Sequence, residues 1–338
     1  MRQVWITRKG APGVLAVRET ADPTPAEGQV RVRVAAAGVN FADILARMGL
    51  YPDAPPLPCV VGYEIAGTVD AVGAGVTTCK TGDRVMALTR FGGYSDVVVV
   101  PAGQAIPIPA ALAMEKAAAI PVNYLTAWIM LVRLGNLRAG ERILIHAAAG
   151  GVGQACLQLA RWRGAEIFGT AGAAKHDRLR QLGVSHCIDY HTQDFEAEIR
   201  RITGGRGVDL VTDAIGGKSF RKSYRSLAPM GRLFVFGVSS LAPKTRFSLL
   251  AAVRGLLAMP AFRPIPLMND NRGVFGVNMG HLWDHAATLR AILDELLALV
   301  ERGVLDPLVD KTFPFEHAAD AHAYLQAHRN FGKVLLVP

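Results

Sequence analysis

The run ILIHAAAGGVGQACLQLA, residues 143–160, leads an apolar segment into Gly150-Gly151-Val152-Gly153 and then into an amphipathic stretch. A strand, a tight turn and a helix start in that order make a cradle for phosphate. The glycines permit the turn and the close approach of a pyrophosphate, and the helix N-terminus offers N–H groups and the positive end of its dipole. The strand–turn–helix context marks this loop as a dinucleotide site. About twenty residues on, an NAD-preferring site keeps an Asp or Glu for the ribose hydroxyls. Here that place holds Gly169-Thr170-Ala171-Gly172-Ala173-Ala174-Lys175. With no carboxylate to repel a 2′-phosphate and Lys175 to attract one, NADPH is expected over NADH. His176 and Arg178 read as surface residues. His146, ending a core strand, reads as structural, and no Ser-His-Asp arrangement supports hydrolysis. Cys59, Cys79, Cys156 and Cys187 are far apart and form no Cys-x-x-Cys pair, which excludes a zinc ribbon and a disulfide framework and leaves reduced thiols.

The scaffold changes texture along the chain. Residues 1 to about 120 read as short strands separated by Gly and Pro turns: Gln29–Ala36 alternates with period two, and Val60–Val72, Asp83–Ala87 and Tyr94–Val100 follow. Ala113–Val132 is helical in character, with Pro121 as a break. From Arg142 strands and helices alternate. The strands are Arg142–Ala147, Glu166–Thr170, Cys187–Tyr190, Val208–Thr212 and Arg232–Phe236, and the helices include Gly153–Arg163 and Phe195–Ile202. This pattern predicts an α/β fold with a doubly wound parallel sheet covered on both faces. A long helix, Ala286–Glu301, and a last strand, Lys333–Val337, close the chain. They are too short for a domain of their own and are expected to return to the first one.

These motifs carry a resemblance. AAGVNFADILARMGLYP (36–52), GYEIAGTV (62–69), GDRV (82–85), AAAGGVG (147–153) and FGKVLLVP (331–338) resemble the medium-chain dehydrogenase/reductase superfamily, in its zinc-free quinone oxidoreductase branch, over nearly the whole chain. AAKH…LGVSHCIDYHTQDF, GVDLVTDAIGG, PMGRL and GVNMGHLW further resemble the vesicle amine transport protein homologues. The resemblance implies a GroES-like β-rich catalytic domain from residues 1–122 and 267–338. It also implies a Rossmann NADP(H)-binding domain from 123–266, with the cofactor in the cleft between the two.

By the same resemblance Asn40 and Tyr51 face nicotinamide and substrate. Asn123, Tyr124 and Thr126 start a helix beside the nicotinamide, and Thr126 joins Asn40 and Tyr51 as a catalytic candidate. Phe236, Gly237 and Val238 pass under the ring, and Val277 and Asn278 contact it. Tyr190 stacks near the adenine or meets the 2′-phosphate with Lys175, and Gly172 completes the cofactor set. Family alcohol dehydrogenases hold zinc with a Cys and a His at places that here carry Asn40 and Tyr63. Amide and phenol are poor zinc ligands, so no metal is expected. Glu64 and Asp43 survive from those motifs, as buried partners or as catalytic groups. Relatives carry an arginine where His328 stands, next to Arg329, and a tyrosine where Leu45 stands; the substrate side is thus more apolar.

Without a Lewis acid, alcohol oxidation lacks the group that acidifies the hydroxyl, whereas a conjugated acceptor is already polarised. The expected reaction is hydride transfer from NADPH to a quinone or an α,β-unsaturated carbonyl, of EC 1.6.5 or 1.3.1 type. Asn40 or a backbone N–H stabilises the developing oxyanion, and solvent or Tyr51 supplies the proton. The competing reading is a non-catalytic, membrane- or lipid-associated NADPH-binding protein on the same fold. It turns on Phe247–Phe262 (FSLLAAVRGLLAMPAF), read first as a helix packed on its own protein or a dimer partner, then as a pocket lid, then as a membrane contact. Hydrophobic residues make up 51% of the 338 and charged residues 19%, which excludes a disordered chain. The net charge of +9 suits an anionic cofactor, but no arginine-rich run or nucleic-acid module accompanies it. No apolar run reaches membrane-spanning length and no secretory signal is evident, so a cytoplasmic protein, commonly a homodimer by resemblance, is expected.

Overall fold

The computed structural model describes residues 1–242 and 258–338. The chain divides into two units, Met1–Leu125 with Met279–Pro338, and Thr126–Asn278. Most of Phe247–Phe262 lies outside the described residues.

In the first unit the longest strand, Gln29–Val39, pairs with Glu64–Val72, with Val97–Pro101 and with the last strand of the chain, Lys333–Val337. Arg84–Leu88, Ala105–Pro107 and Val309–Pro314 complete its seven-stranded sheet, and a smaller sheet joins Arg2–Ile6, Leu15–Glu19 and Cys59–Val60. Period two is explicit in the long strand. Val30, Val32 and Val34 are buried, while Arg31 and Arg33 both reach Asp70 on the neighbouring strand, at 2.8 and 3.0 Å. Three buried valines at about 1.5–3 kcal/mol each outweigh partly exposed ion pairs at about 1 kcal/mol or less, so burial sets the register. The expected continuous strand Val60–Val72 is broken. Gly62 has φ +104, and a Cβ there would collide with the Tyr94 backbone and ring, so residues 61–63 leave the ladder and Glu64 restarts it.

The second unit carries six parallel strands in the order His186–Asp189, Glu166–Ala171, Arg142–Ile145, Val208–Asp213, Leu227–Val235, Gly273–Gly276. The next two strands in sequence add to one side of Arg142–Ile145 and the three after them to the other, which makes the gap between it and Val208–Asp213 the switch point of a doubly wound sheet. The strand Gly273–Gly276 corrects one boundary. Residues 267–278, expected to return to the first unit with the tail, stay with the parallel sheet because this strand pairs with Leu227–Val235. The other boundary falls after Leu125 rather than at 122, inside the helix Pro121–Trp128.

Candidate functional site

The cofactor half is built at the carboxyl ends of the parallel strands. Arg142–Ile145 runs through His146 into Ala147, whose φ of +50 turns the chain back. Gly150 N–H donates to the Ala147 carbonyl at 2.8 Å, and extended Gly150 becomes the N-cap of the helix Gly151–Trp162. Among the described residues no side chain caps this helix, so its first N–H groups have no side-chain cap and their dipole end favours an anion. A Cβ on Gly153 would run into the Ala147 carbonyl oxygen, so this glycine is required for the helix to pack against the loop. Gly172 N-caps a short turn, Ala173–Lys175, at the end of the second strand, and Lys175 N–H donates back to its carbonyl at 3.0 Å. His176, expected at the surface, is buried with Nε2 3.0 Å from the Ala171 carbonyl oxygen, while Arg178 is exposed. Tyr190 is 45% exposed and lies on His191 with ring centres 4.2 Å apart. Phe236 N–H donates to Asp213 and Val277 N–H to Val235, at 3.1 and 3.0 Å, which brings Phe236, Gly237 and Val238 beside Val277 and Asn278. Thr126 belongs to this unit and is buried.

The residues expected on the acceptor side, here called the acceptor half, lie in the first unit. Asn40 ends the long strand and N-caps the helix Phe41–Met48. Its backbone N–H donates to Asp43 Oδ2 at 2.7 Å. Its amide donates to the Gly38 carbonyl at 3.3 Å and to Glu64 Oε1 at 3.0 Å, and its Oδ1 accepts from Lys333 Nζ at 2.7 Å. Flipping the amide would set oxygen against carboxylate and nitrogen against ammonium, so the orientation is determined. Both N–H groups are therefore committed within the protein. This corrects the expectation that the Asn40 amide is free to donate to a developing oxyanion. Lys333 also bonds Glu64 Oε1, and Glu64 Oε2 accepts the Val122 N–H at 2.7 Å. Lys333 and Glu64 are both essentially inaccessible, at 2% and 0%.

Next to Glu64, Tyr63 packs its ring on Phe91 and edge-on to Tyr51, with centres 5.3 and 6.2 Å apart. Burial first, with the Asp43 carboxyl second, holds the Tyr63 phenol far above its ordinary range, so it stays neutral. Behind Asn40 a second buried chain runs through Asp43, Tyr94, His322 and Arg47. Arginine only donates, so His322 Nδ1 accepts from Arg47 Nη1 at 3.1 Å. Its Nε2–H then donates to Tyr94 Oη at 3.1 Å, and Tyr94 donates to Asp43 Oδ2 at 2.9 Å. Burial pushes Asp43 up to about 7, against the pull of its hydrogen bonds, and pushes His322 well below its usual value. Lys333, Tyr94, His322 and Arg47 escape sequence reasoning. Only Lys333 leaves a signal: a lysine opening the apolar strand KVLLV must find a buried partner.

Residues 26–110 match the alcohol dehydrogenase GroES-like domain and residues 182–336 the zinc-binding dehydrogenase family. The synaptic vesicle membrane protein VAT-1 homolog of Rattus norvegicus is 44% identical over 325 residues, 96% of this chain and 80% of the relative. The chain belongs to the medium-chain dehydrogenase/reductase superfamily. Within it, a 2-haloacrylate reductase from Burkholderia is 37% identical over 98% of both chains. The solved structure of Escherichia coli quinone oxidoreductase complexed with NADPH superposes with a TM-score of 0.88 at 32% identity, covering 100% of each chain. The superfamily's GroES-like and Rossmann domains account for the two units described above. Among the described residues no group of three or more His, Cys, Asp or Glu side chains is placed to hold a metal ion.

Proposed function

We propose that this protein is a metal-independent oxidoreductase that uses NADPH to reduce a quinone or the double bond of an α,β-unsaturated carbonyl compound. The observation that carries the reading is the acceptor half. Where zinc members of the superfamily keep Cys and His, this chain has an amide and a neutral phenol, and the Glu64 carboxylate between them is already neutralised by the Lys333 ammonium. An amide, a phenol and a paired carboxylate are a poor donor set for zinc. The likeness to a quinone oxidoreductase and a 2-haloacrylate reductase supports the acceptor class.

When bound, NADPH supplies a hydride. Gly150, Gly151, Val152 and Gly153 hold the pyrophosphate against the N-terminus of Gly151–Trp162. Gly172 and Lys175 take the 2′-phosphate side, with Tyr190 against the adenine. Phe236–Val238, Val277, Asn278 and Thr126 flank the nicotinamide. Tyr51 lines the acceptor side, and its phenol or solvent returns the proton to the reduced acceptor. Asn40 is a fixed wall of that side, locked by Glu64 and Lys333. Nothing in this set acidifies an alcohol, so simple alcohols are poor substrates.

The protein is further read as cytoplasmic and as a homodimer joined along the sheet edge Gly273–Gly276. There Phe275 is 37% exposed, and Ile265, Met268 and Met230 are more so. Among the described residues no helix is long and apolar enough to cross a membrane. The relatives' name as vesicle membrane proteins favours the second reading, a lipid-associated NADPH-binding protein. Transfer of deuterium separates the two. With NADPH deuterated at C4, an enone product is expected to carry deuterium at its β-carbon by NMR; an enone product without the label, or no reduction of either an enone or a quinone, would contradict the oxidoreductase reading.

A further inference from the structure

Beneath the glycine loop lies a buried polar chain that the hydride-transfer reading does not use. Thr170, His146 and Asp213 sit one step beyond the paired residues Gly169, Ile145 and Thr212, at the carboxyl ends of three adjacent parallel strands. All three are at most 3% exposed. Ser223, fully buried on the helix Lys218–Arg225, closes the row.

The hydrogen-bond directions follow from one end. Asp213 Oδ2 accepts from Ser223 and from Ser219, each at 2.7 Å, and Oδ1 accepts from the Ile215 N–H at 2.7 Å. The Ser223 hydrogen is thereby spent, so its oxygen accepts from His146 Nε2–H at 3.0 Å. His146 is then the Nε2–H tautomer, and its Nδ1 accepts from the Thr170 hydroxyl at 3.1 Å. Thr170 Oγ1, with its hydrogen committed to the imidazole, accepts the Ala147 N–H at 3.3 Å. Burial, the larger effect, favours the neutral ring against the pull of Asp213, and the neutral ring is the form this direction needs.

The chain ends on the residue that shapes the loop. Ala147 holds a φ of +50, a conformation that L residues rarely adopt. Its carbonyl takes the Gly150 N–H and is the atom against which Gly153 packs. Moving Ala147 therefore moves both glycines and the first turn of Gly151–Trp162.

We propose that Thr170, His146, Ser223 and Asp213 form a positioning relay that fixes Ala147, and through it the pyrophosphate loop, so that NADPH affinity depends on the hydroxyls of Thr170 and Ser223. This rests on the reading that the loop binds NADPH. It adds positioning residues from strand ends outside the glycine motif.

Valine and serine at position 170 test it. Thr170→Val keeps the shape and deletes the hydroxyl, whereas Thr170→Ser keeps the hydroxyl and deletes the methyl group. A packing role predicts that valine is tolerated and serine harmful, and the relay predicts the reverse. Fluorescence titration should show the NADPH Kd raised about tenfold in Thr170→Val, the loss expected for one hydrogen bond to a buried partner, and restored to within about threefold in Thr170→Ser. In turnover the NADPH KM should rise with Kd while kcat falls by less than about threefold. Ser223→Ala should weaken NADPH similarly, and it carries the test if circular dichroism shows Thr170→Val unfolded. Thr170→Val or folded Ser223→Ala binding like wild type, or Thr170→Ser binding no better than Thr170→Val, would overturn the relay. A wild-type protein that does not bind NADPH would instead overturn the reading of the loop.

Discussion

The two units bury their polar groups for different ends. In the first, the carboxylates of Glu64 and Asp43 are answered by cations or hydrogen-bonding chains that close on the protein itself: Lys333 and Asn40 on one side, Tyr94, His322 and Arg47 on the other. In the second, the row from Asp213 to Thr170 ends on the N–H of a loop whose helix amides stay uncapped among the described residues. Closed networks hold a wall in place, and an open one leaves donors for a guest. The first network thus locks Asn40 in place, and the second leaves the helix Gly151–Trp162 without a side-chain cap.

This difference can be broken from either side. The largest effect is expected for Lys333→Met. Removing one partner of a buried pair leaves Glu64 uncompensated at a cost of about 3–5 kcal/mol. Denaturant unfolding should show that loss in the first unit, with NADPH binding by the folded protein kept within a few-fold. An equal loss of NADPH affinity would show that the two networks are not separable. Gly153→Val is its converse. The new side chain meets the Ala147 carbonyl, so NADPH affinity should fall by more than about a hundredfold in a protein whose circular dichroism is retained. Undiminished binding would show that the loop does not hold the pyrophosphate.

Lys175→Ala sharpens the comparison within the cofactor half. It should weaken NADPH by about 1–3 kcal/mol through a lost charge-assisted phosphate contact and barely change NADH. Equal weakening of both by isothermal titration would remove Lys175 from the 2′-phosphate.

The smallest effect concerns pH. His322 is buried neutral, with its value pushed well below 6.5, so below about pH 6.5 the unfolded chain binds a proton that the folded chain does not. That contribution to stability is present above 6.5 and lost on acidification. His322→Gln should lower stability at pH 8 and flatten the decline between about pH 6.5 and 5, by at most about 1.4 kcal/mol per pH unit. Asp43, raised to about 7, acts with the opposite sign in the same window, so the quantity to follow is the difference between the two proteins. Parallel curves would show that His322 does not carry this dependence.

Much of the cofactor half could be read in the sequence because its determinants are local. The glycine turn, the missing acidic residue and the alternation of strands and helices each lie within a few tens of residues, and even the Thr170–His146 contact spans only 24. The short strand Gly273–Gly276 was not legible: two apolar residues between glycines carry no period. The acceptor half resisted for the opposite reason. Asn40 finds Lys333 across 293 positions and Arg47 finds His322 across 275, pairings that only the folded unit creates. Reading Asn40 as a free donor failed there, because both of its N–H groups are taken by partners no spacing rule connects.

The central claim is that a chain with these two halves turns over NADPH without a metal. The direct measurement is NADPH absorbance at 340 nm, an about-one-step assay of cofactor consumption, with purified, chelator-treated protein and a panel of quinones and conjugated enones. The account predicts sustained oxidation with at least one acceptor, unchanged by added zinc and negligible with simple alcohols and NADP⁺ in the reverse direction. Tight NADPH binding with no oxidation by any acceptor, or activity that disappears with the chelator and returns with zinc, would contradict it.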